Sequence, residues 1–494
     1  MPSASLLLVG LLPLIALFYV QYSNVFSPAF TLSKNAMPIP RSKTPIIMAS
    51  TPAFSHMEKI TTIAEGLIQL GYPIIFLTGP DFKDHIESIG ATYVPIEGKG
   101  FGMMAEDKMA TFLSLQGDEL EIFAFNTIFI DEIPAQHRTL QRTFNEVREK
   151  YGQEQPLIYI ADCTFGGLAP VMLGVPGIRP DAAMSIGLAP YPAASNDTFP
   201  FRSGRHPDTS ADSKQIHFEA QQAQYISYPD SEWNKHTREV LEKMGATRSS
   251  PSMFDMFVAA SDVYLQYGVP EFEYPRSDLR PNLKFTGAPV NVGIAERALP
   301  EWWGDVLEAK KAGKHIVAVT SSTVVFDNNV LIIPALEALK DRDDVLVIAT
   351  LVTSDVEQLE FKIPENARVT KFFPLDLALP EVSVLITNGG YGTIQQALRA
   401  GVPMIVSGVG QDKSHTGALI NYIGNGIYHA VHQTNSEILS VAFAEILKNQ
   451  TYRVKSEAIA QEYKKYNAIE IADAQIQQVL KEKLPSKSWL AGWM

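Results

Sequence analysis

A glycine-rich turn, NGGYGT at residues 388–393, separates two segments of different periodicity. It follows a short apolar strand (residues 384–386) and precedes an amphipathic helix (residues 394–400) that stops at Gly401 and Pro403. A buried strand followed by a turn and a helix is typical of a parallel sheet. The turn presents backbone N–H groups at the positive end of a helix dipole, an arrangement that binds phosphate. We therefore expect it to hold a phosphorylated small molecule.

Two other interpretations of this turn stay open. A dinucleotide-binding turn would carry a third glycine and lie in a first β-α-β unit, and this one does neither. A turn built only for close packing of the strand on the helix is the second alternative. The sequence contains no GK[ST] phosphate loop.

Length and composition limit the class of protein. A chain of 494 residues with 46% hydrophobic and 19% charged residues indicates a folded protein with two domains. The net charge of −13 argues against a nucleic-acid partner. The single cysteine, Cys163, excludes an internal disulfide and argues against a cysteine-based zinc site.

The N-terminus predicts a membrane anchor. Residues 1–33 carry no charge, and residues 4–22 are almost wholly apolar, close to the length that spans a bilayer. The first basic residues follow this span, which favours a single-pass anchor with a cytosolic body, at the endoplasmic reticulum. A signal peptide with a lumenal body is the alternative, although the basic region that usually begins one is missing.

The first β-α-β unit carries a candidate base. A buried strand (residues 45–49) leads to Ser55 and Glu58, whose spacing predicts a capping box and places His56 in the first turn of a helix. The positive helix end favours a neutral imidazole that can accept a proton. Asp162 ends another predicted strand of this sheet (residues 157–161) and can orient that ring. An idle histidine and an aspartate that only caps a helix are the competing interpretations.

Two further segments of the N-terminal half allow predictions. The aromatic-rich stretch at residues 122–133 predicts either core packing or the wall of an apolar acceptor pocket. Residues 192–237 have many polar and few periodic positions, which indicates a surface insertion.

A second α/β alternation follows a turn-rich linker, and the two halves imply a cleft at the carboxyl ends of their strands. Gln411-Asp412-Lys413 follows one strand of the second half, where a carboxylate could accept hydrogen bonds from sugar hydroxyls or belong to an ordinary surface loop. The predicted organisation comprises an anchor and linker at 1–43, a Rossmann-like domain at 44–286, an interdomain linker at 287–312, a second Rossmann-like domain at 313–450, and a C-terminal helix and tail at 451–494.

Together these segments resemble the family 1 nucleotide-sugar glycosyltransferases, the UDP-glycosyltransferases of GT-B architecture, especially fungal and other microbial members. The resemblance spans most of residues 44–450 and is strongest over residues 372–426, in order and spacing. It implies an α/β fold with two doubly wound parallel sheets facing across a cleft, and a UDP-sugar donor on the C-terminal half.

The resemblance also implies roles for single residues. Phe372 takes the place of the aromatic that stacks on uracil, and Gln396 the place of a ribose-binding carboxylate. Asp412 and Lys413 fall on the pair that grips the sugar. His56 matches the catalytic histidine and Asp162 its partner. The residues expected at the diphosphate are Thr323, Asn388, Gly390, Gly392 and Thr393.

Several positions depart from the family pattern. Asn388 stands where a histidine is usual, Gln396 replaces a carboxylate, and Lys413 replaces a glutamine. These departures leave the identity of the sugar open.

The implied function is inverting transfer of a sugar, with glucose expected, from UDP to a hydroxyl of a lipophilic acceptor such as a terpenoid, sterol, polyketide or lipid. No cofactor and no metal ion is required by this scheme. Two alternatives remain: a catalytically degraded, membrane-tethered subunit that binds UDP, and a dinucleotide-dependent enzyme on a related fold.

Overall fold

The computed structural model describes residues 40–97, 106–153, 155–289, 299–321, 327–352 and 354–483. The predicted anchor within residues 1–39 and the predicted site residue Thr323 lie outside these ranges. Among the helices that are described, none is both long enough and apolar enough to cross a membrane. The membrane location therefore stays a prediction.

The N-terminal half contains a parallel sheet whose described strands lie in the order β3-β2-β1-β4-β5-β6-β7. Its order reverses between β1 and β4, so the loops after these two strands open a crevice at the carboxyl edge. The strands are β1 (Ile46–Ala49), β2 (Ile74–Thr78), β3 (Thr92–Pro95), β4 (Ile158–Asp162), β5 (Ala182–Gly187), β6 (Val263–Gln266) and β7 (Leu283–Phe285).

The C-terminal half contains a second parallel sheet, in the order β10-β9-β8-β11-β12-β13. Its order reverses between β8 and β11, and the glycine-rich turn directly follows β11. The strands are β8 (His315–Thr320), β9 (Val345–Thr350), β10 (Ala367–Thr370), β11 (Val384–Thr387), β12 (Met404–Ser407) and β13 (Gly426–His429).

Helices cover both faces of each sheet, and apolar positions decide which side of a helix is buried. In the first helix, α1, the apolar stripe of Met57, Ile60, Ala64 and Leu67 is buried. The described α-helices of the N-terminal half are α1 (Phe54–Gln69), α2 (Lys83–Ser88), α3 (Glu106–Ser114), α4 (Gly117–Phe125), α5 (Ile133–Tyr151), α6 (Ala169–Met172), α7 (Ser213–Ile226), α8 (Asp230–Lys243) and α9 (Met253–Ala259).

The helices of the C-terminal half include the predicted helix after the glycine turn. It begins at Tyr391, three residues earlier than its apolar pattern indicates, because the turn itself forms its first residues. The described helices here are α10 (Trp303–Lys311), α11 (Ile332–Leu339), α12 (Leu375–Ala378), α13 (Tyr391–Ala400), α14 (Lys413–Ile423), α15 (Ser436–Lys448), α16 (Thr451–Tyr463) and α17 (Ala468–Lys483).

Two predictions on secondary structure are wrong. The stretch 192–237 is not a surface insertion, because it contains α7 and the first part of α8, and Trp233 is fully buried in the same core cluster as Tyr191 and Met253. The single helix expected near the C-terminus is two helices, α16 and α17. Between them, the Asn467 side chain accepts the backbone N–H of Ile469, which starts the second helix.

The last helix, α17, packs on α1 of the N-terminal half, whereas α16 packs on α13 of the C-terminal half. The Asp473 carboxylate of α17 accepts hydrogen bonds from Arg41 (Nη2–Oδ2 2.7 Å) and from the Tyr72 hydroxyl (2.6 Å). The C-terminal segment therefore ties the two halves together.

Candidate active site

His56 lies in the first turn of α1, as predicted, but the predicted capping box is wrong. The helix begins at Phe54, and its N-cap is Ala53, which has extended backbone and no side chain that can cap. Ser55 is therefore already inside the helix. The short loop after β1 directs this first turn to the crevice at the carboxyl edge of the sheet.

Asp162 ends β4 and its carboxylate is fully buried. One oxygen, Oδ2, accepts hydrogen bonds from the Ser50 hydroxyl (2.9 Å) and the Thr51 backbone N–H (2.6 Å). The other, Oδ1, accepts the backbone N–H groups of Thr164 (2.7 Å) and Phe165 (3.1 Å) and the Thr164 hydroxyl (2.5 Å). The carboxylate therefore orders the turn that follows β4, but it does not cap a helix: the helical turn Gly166–Leu168 has Phe165 as its N-cap and no capping side chain.

The His56 ring lies beside this carboxylate. Its Nδ1 is 3.6 Å from Asp162 Oδ1 and 3.3 Å from the Thr164 hydroxyl oxygen, and the histidine side chain is 19% exposed. Because the Thr164 hydroxyl donates to Asp162, it can accept an Nδ1 proton and link the two residues. Sequence reasoning missed Thr164. Its only signal is its position two residues after an aspartate that ends a strand.

The environment of Asp162 favours its ionised form. Burial raises the pKa of the carboxyl group, but His56 and the hydrogen bonds from Thr164 and Thr51 outweigh burial and lower it. Asp162 is therefore a carboxylate at neutral pH, able to hold one tautomer of the ring and to stabilise an imidazolium.

A cavity of about 800 Å³ lies in front of His56 and extends to the glycine turn. Its N-terminal wall is mostly apolar and includes Phe125, Ile128, Phe129, Phe201, Phe254 and Phe257. In the 122–133 stretch, Ile130 is core, which confirms core packing in part, while Phe125 and Phe129 line this cavity. That the cavity wall binds an acceptor stays a prediction. The Phe129 ring centroid is 6.1 Å from that of His56.

The C-terminal wall of the cavity carries most of the residues expected at the donor. Gly390 is the N-cap of α13, and Gly389 has φ 94°, which favours glycine at this turn. A Cβ on Gly389 would also lie 2.8 Å from Val406 Cγ1. The predicted donor residues that line this wall are Phe372, Gly390, Gly392, Thr393, Gln396, Asp412 and Lys413.

Asn388 is placed differently from the rest. It is 2% exposed and does not line the cavity, so its side chain lies behind the turn rather than in front of it. A cation from the opposite wall lies closer to the turn: a Cβ on Gly392 would be 3.1 Å from Lys59 Cε and 3.5 Å from Lys59 Nζ. Sequence reasoning missed Lys59, which in this structure forms an ion pair with Glu58.

Of the predicted sugar-binding pair, Lys413 is buried and Asp412 is half-buried, and hydrogen bonds hold both side chains. Asp412 Oδ2 accepts the backbone N–H of Tyr391 (3.3 Å), and Lys413 Nζ donates to Gln411 Oε1 (2.6 Å). Burial raises the pKa of Asp412, opposed by Lys413, and burial lowers the pKa of Lys413, opposed by Asp412. The loop that carries them is thus not an ordinary surface loop.

Within the described residues, no group of three or more His, Cys, Asp or Glu side chains is arranged to hold a metal ion. Whether transfer needs a metal is not decided by this, and the expectation that it does not stays a prediction.

Two parallel-sheet, Rossmann-like domains with a cavity at their switch points define the GT-B class of glycosyltransferases. Solved structures of this class superpose along the chain: the calicheamicin glycosyltransferase CalG4 has a TM-score of 0.61 at 15% identity, covering 90% of this chain and 99% of that one. The glycosyltransferase VinC, solved with dTDP, has a TM-score of 0.58 at 17% identity, covering 89% of this chain and 100% of VinC.

Sequence comparison identifies the family. Residues 335–476 match the erythromycin biosynthesis protein CIII-like C-terminal domain. The chain is 35% identical to the UDP-glucosyltransferase avaP of Aspergillus versicolor, covering 86% of this chain and 94% of avaP. It is 31% identical to UDP-glycosyltransferase 2 of Phaeomoniella chlamydospora, covering 87% of this chain and 95% of that protein. The chain belongs to the UDP-glycosyltransferase family and is an enzyme that uses a UDP-sugar donor.

Proposed function

We propose that this enzyme transfers glucose from UDP-glucose to a hydroxyl group of a lipophilic acceptor, with inversion at the anomeric carbon. Glucose is favoured by the similarity to avaP and to two glucosyltransferases of Starmerella bombicola. The contact of His56 with a buried, ionised Asp162 at the mouth of an apolar cavity is the observation that carries the proposal.

His56 is the general base of this proposal. Its Nδ1 faces Thr164 and Asp162, which leaves Nε2 to remove the proton of the acceptor hydroxyl. Asp162 stabilises the resulting imidazolium, and the acceptor oxygen attacks the anomeric carbon from the face opposite UDP. The bond from the acceptor oxygen to that carbon forms as the bond to the diphosphate oxygen breaks, without a covalent intermediate.

The donor binds along the C-terminal wall. The exposed ring of Phe372 stacks on uracil, and Gln396 hydrogen-bonds the ribose. Backbone N–H groups at Gly392 and Thr393 hold the diphosphate at the N-terminus of α13. When the donor binds, Lys59 leaves its ion pair with Glu58 and contacts the diphosphate instead. It thereby adds the positive charge that Asn388 does not supply. Asp412 and Lys413 bind the sugar.

The acceptor binds against the phenylalanine-rich wall. This wall is apolar and carries several rings, which suits a lipophilic alcohol or phenol such as a terpenoid, sterol or polyketide. Because His56 lies at the edge of this wall, a hydroxyl on such a ligand can reach it.

The proposal is tested by measuring UDP release from UDP-glucose by the full-length protein, with and without a panel of lipophilic alcohols and phenols. We expect release to depend on acceptor and to fall about 10²- to 10⁴-fold in His56→Ala, because a positioned base contributes that much. His85→Ala, an exposed histidine outside the cavity, serves as the control.

Two outcomes would contradict the proposal. Equal release by His56→Ala would remove the histidine from the chemistry. Tight UDP binding without turnover of any UDP-sugar would instead favour the non-catalytic subunit.

A further inference from the structure

Arg202 lies at the centre of a buried ionic network that joins the two halves. Its guanidinium donates to Glu121 Oε2 (2.5 Å) and Asp230 Oδ1 (2.9 Å), two carboxylates of the N-terminal half. It also donates through Nε to the backbone carbonyl of Gln411 in the C-terminal half (3.2 Å). The side chains of Arg202, Glu121 and Asp230 are only 12%, 17% and 10% exposed. Such a network contributes more to stability than an exposed ion pair only if the geometry of its hydrogen bonds is kept.

Both backbone polar groups of Gln411, its N–H and its carbonyl, form hydrogen bonds with the N-terminal half. Its N–H donates to Glu121 Oε1 (2.7 Å), while its carbonyl accepts from Arg202. Gln411 has φ 50° and the preceding Gly410 has φ 83°, so two consecutive residues adopt left-handed backbone. A residue with a Cβ rarely adopts that conformation unless its surroundings impose it. We call Glu121 and Arg202 the interdomain brace.

Gln411, which the interdomain brace holds, directly precedes the proposed sugar-binding pair. Asp412 and Lys413 follow Gln411 in the chain, and Lys413 Nζ donates to the Gln411 side chain. Any change in the backbone of Gln411 therefore moves both groups. Phe372 and the glycine turn, which hold the nucleotide in the proposed function, do not take part in the hydrogen bonds of the brace.

We propose that Glu121 and Arg202 are positioning residues that fix the backbone of residues 411–413. Through these residues they set the preference of the enzyme for its donor sugar. This inference rests on the proposed function, because it assigns the sugar to Asp412 and Lys413. It predicts that loss of the brace weakens recognition of the sugar while recognition of UDP is kept.

The test compares three full-length variants with the wild type. Glu121→Ala removes the acceptor of the Gln411 N–H, and Glu121→Gln keeps an oxygen that can accept it. Asp230→Asn is the matched control, since Asp230 also binds Arg202 but does not touch Gln411. For each protein, kcat/KM is measured with UDP-glucose and UDP-galactose, and the inhibition constant is measured for UDP.

In Glu121→Ala we expect the ratio of kcat/KM for UDP-glucose over UDP-galactose to fall about tenfold, with the inhibition constant of UDP within twofold of wild type. Glu121→Gln should retain most of the discrimination, and Asp230→Asn nearly all of it.

The inference is overturned if Glu121→Ala keeps the wild-type sugar ratio, or if Asp230→Asn loses as much of it. Equal weakening of UDP and UDP-glucose would also overturn it, because the brace would then act only on the fold. Failure of the proposed function is a separate result: the wild type itself would turn over neither UDP-sugar.

Discussion

Lys59 lies one helical turn after His56 on α1, so both side chains project to the same face of the helix. The position of Lys59 against Gly392 brings a cation of the N-terminal half to the diphosphate end of the proposed donor site. A charge-assisted hydrogen bond to phosphate is stronger than a neutral one. A cation at this place also compensates for Asn388, which cannot carry charge.

We expect Lys59→Ala to raise the dissociation constant of UDP about 10- to 100-fold, because a hydrogen bond to a charged group contributes roughly 1.5–3 kcal/mol. Binding of uridine, which lacks the diphosphate, should be unchanged. Calorimetric titration with both ligands measures this, with Lys83→Ala as an exposed-lysine control outside the cavity. Equal affinity of Lys59→Ala and wild type for UDP would place the ammonium away from the phosphates.

Glu273 is a half-buried residue whose carboxyl oxygen Oε2 is buried, which makes stability depend on pH. Burial raises its pKa to about 7, although nearby Arg276 acts in the opposite direction, and its Oε1 accepts the backbone N–H of Tyr191 (2.9 Å). Its ordinary value is 4.5, so between pH 4.5 and about 7 the folded protein binds the proton that the unfolded chain has released. The contribution of this group to the free energy of unfolding therefore falls as pH rises through that window and is lost above it.

Glu273→Gln imitates the protonated carboxyl group at every pH, so the variant does not lose this part of the free energy of unfolding as pH rises. We expect the free energy of unfolding of the variant, relative to wild type, to be higher at pH 8 than at pH 5 by on the order of 2–3 kcal/mol. Denaturant unfolding of both proteins at the two pH values measures the difference. A constant offset between variant and wild type would show that Glu273 does not titrate in this range.

At the scale of elements, the contact between α1 and α17 depends on a glycine. A Cβ on Gly66 would lie 2.4 Å from Ile469 Cδ1 and 2.6 Å from its Cγ1, so the two helices approach closely only because Gly66 has none. Alanine favours a helix over glycine by about 1 kcal/mol, but steric overlap in a packed contact costs about 1–3 kcal/mol.

We expect Gly66→Ala to lower the free energy of unfolding by about 1–2 kcal/mol, because overlap outweighs helix propensity. In the Gly66→Ala, Ile469→Ala double variant the added methyl group occupies space that the isoleucine leaves. The double variant should therefore lose less than the sum of the two single variants, as a double-mutant cycle in denaturant would show. Strict additivity would mean that the two side chains do not meet.

Strands that bury a continuous apolar run of their own sequence were predictable from the sequence. The strands β1, β4 and β11 are largely apolar runs and lie within one residue of their predicted bounds. The prediction for the stretch 192–237 is wrong because its polar residues are frequent, while Trp233 is buried by contacts with distant segments. The first helix lacks its predicted cap for a related reason: the Ser-x-x-Glu spacing fits, but the backbone turns two residues earlier.

The site was predictable to the extent that it depends on strand ends. His56 follows β1 and Asp162 ends β4, and the ends of parallel strands lie at one edge of a sheet; that β1 and β4 are neighbours is shown only by the structure. The contacts that cross between halves were not predictable. Lys59 meets Gly392, and Glu121 meets a residue 290 positions away, with no local pattern that marks either contact. Their existence depends on how the two sheets face each other.

At the scale of the whole molecule, Tyr391 couples the glycine turn to the opposite half. Its buried hydroxyl donates to the Tyr267 carbonyl (2.6 Å) and accepts from Gln266 Nε2 (3.1 Å), both of the N-terminal half. Gly268 leaves room for this contact, since a Cβ there would lie 2.9 Å from the Tyr391 hydroxyl oxygen. The first residue of α13 thus sets the spacing of the halves across the proposed diphosphate site.

We expect Tyr391→Phe to lower the free energy of unfolding by about 1–3 kcal/mol, because the variant leaves buried polar groups without their partner. The KM for UDP-glucose should also rise, since the two walls of the donor site are no longer held at one spacing. Tyr225→Phe is the matched control: its hydroxyl donates to Asp255 (2.9 Å) within the N-terminal half alone. Denaturant unfolding and steady-state kinetics on both variants separate the effects. A KM that rises equally in both would show that general loss of stability, and not the spacing of the halves, controls donor binding.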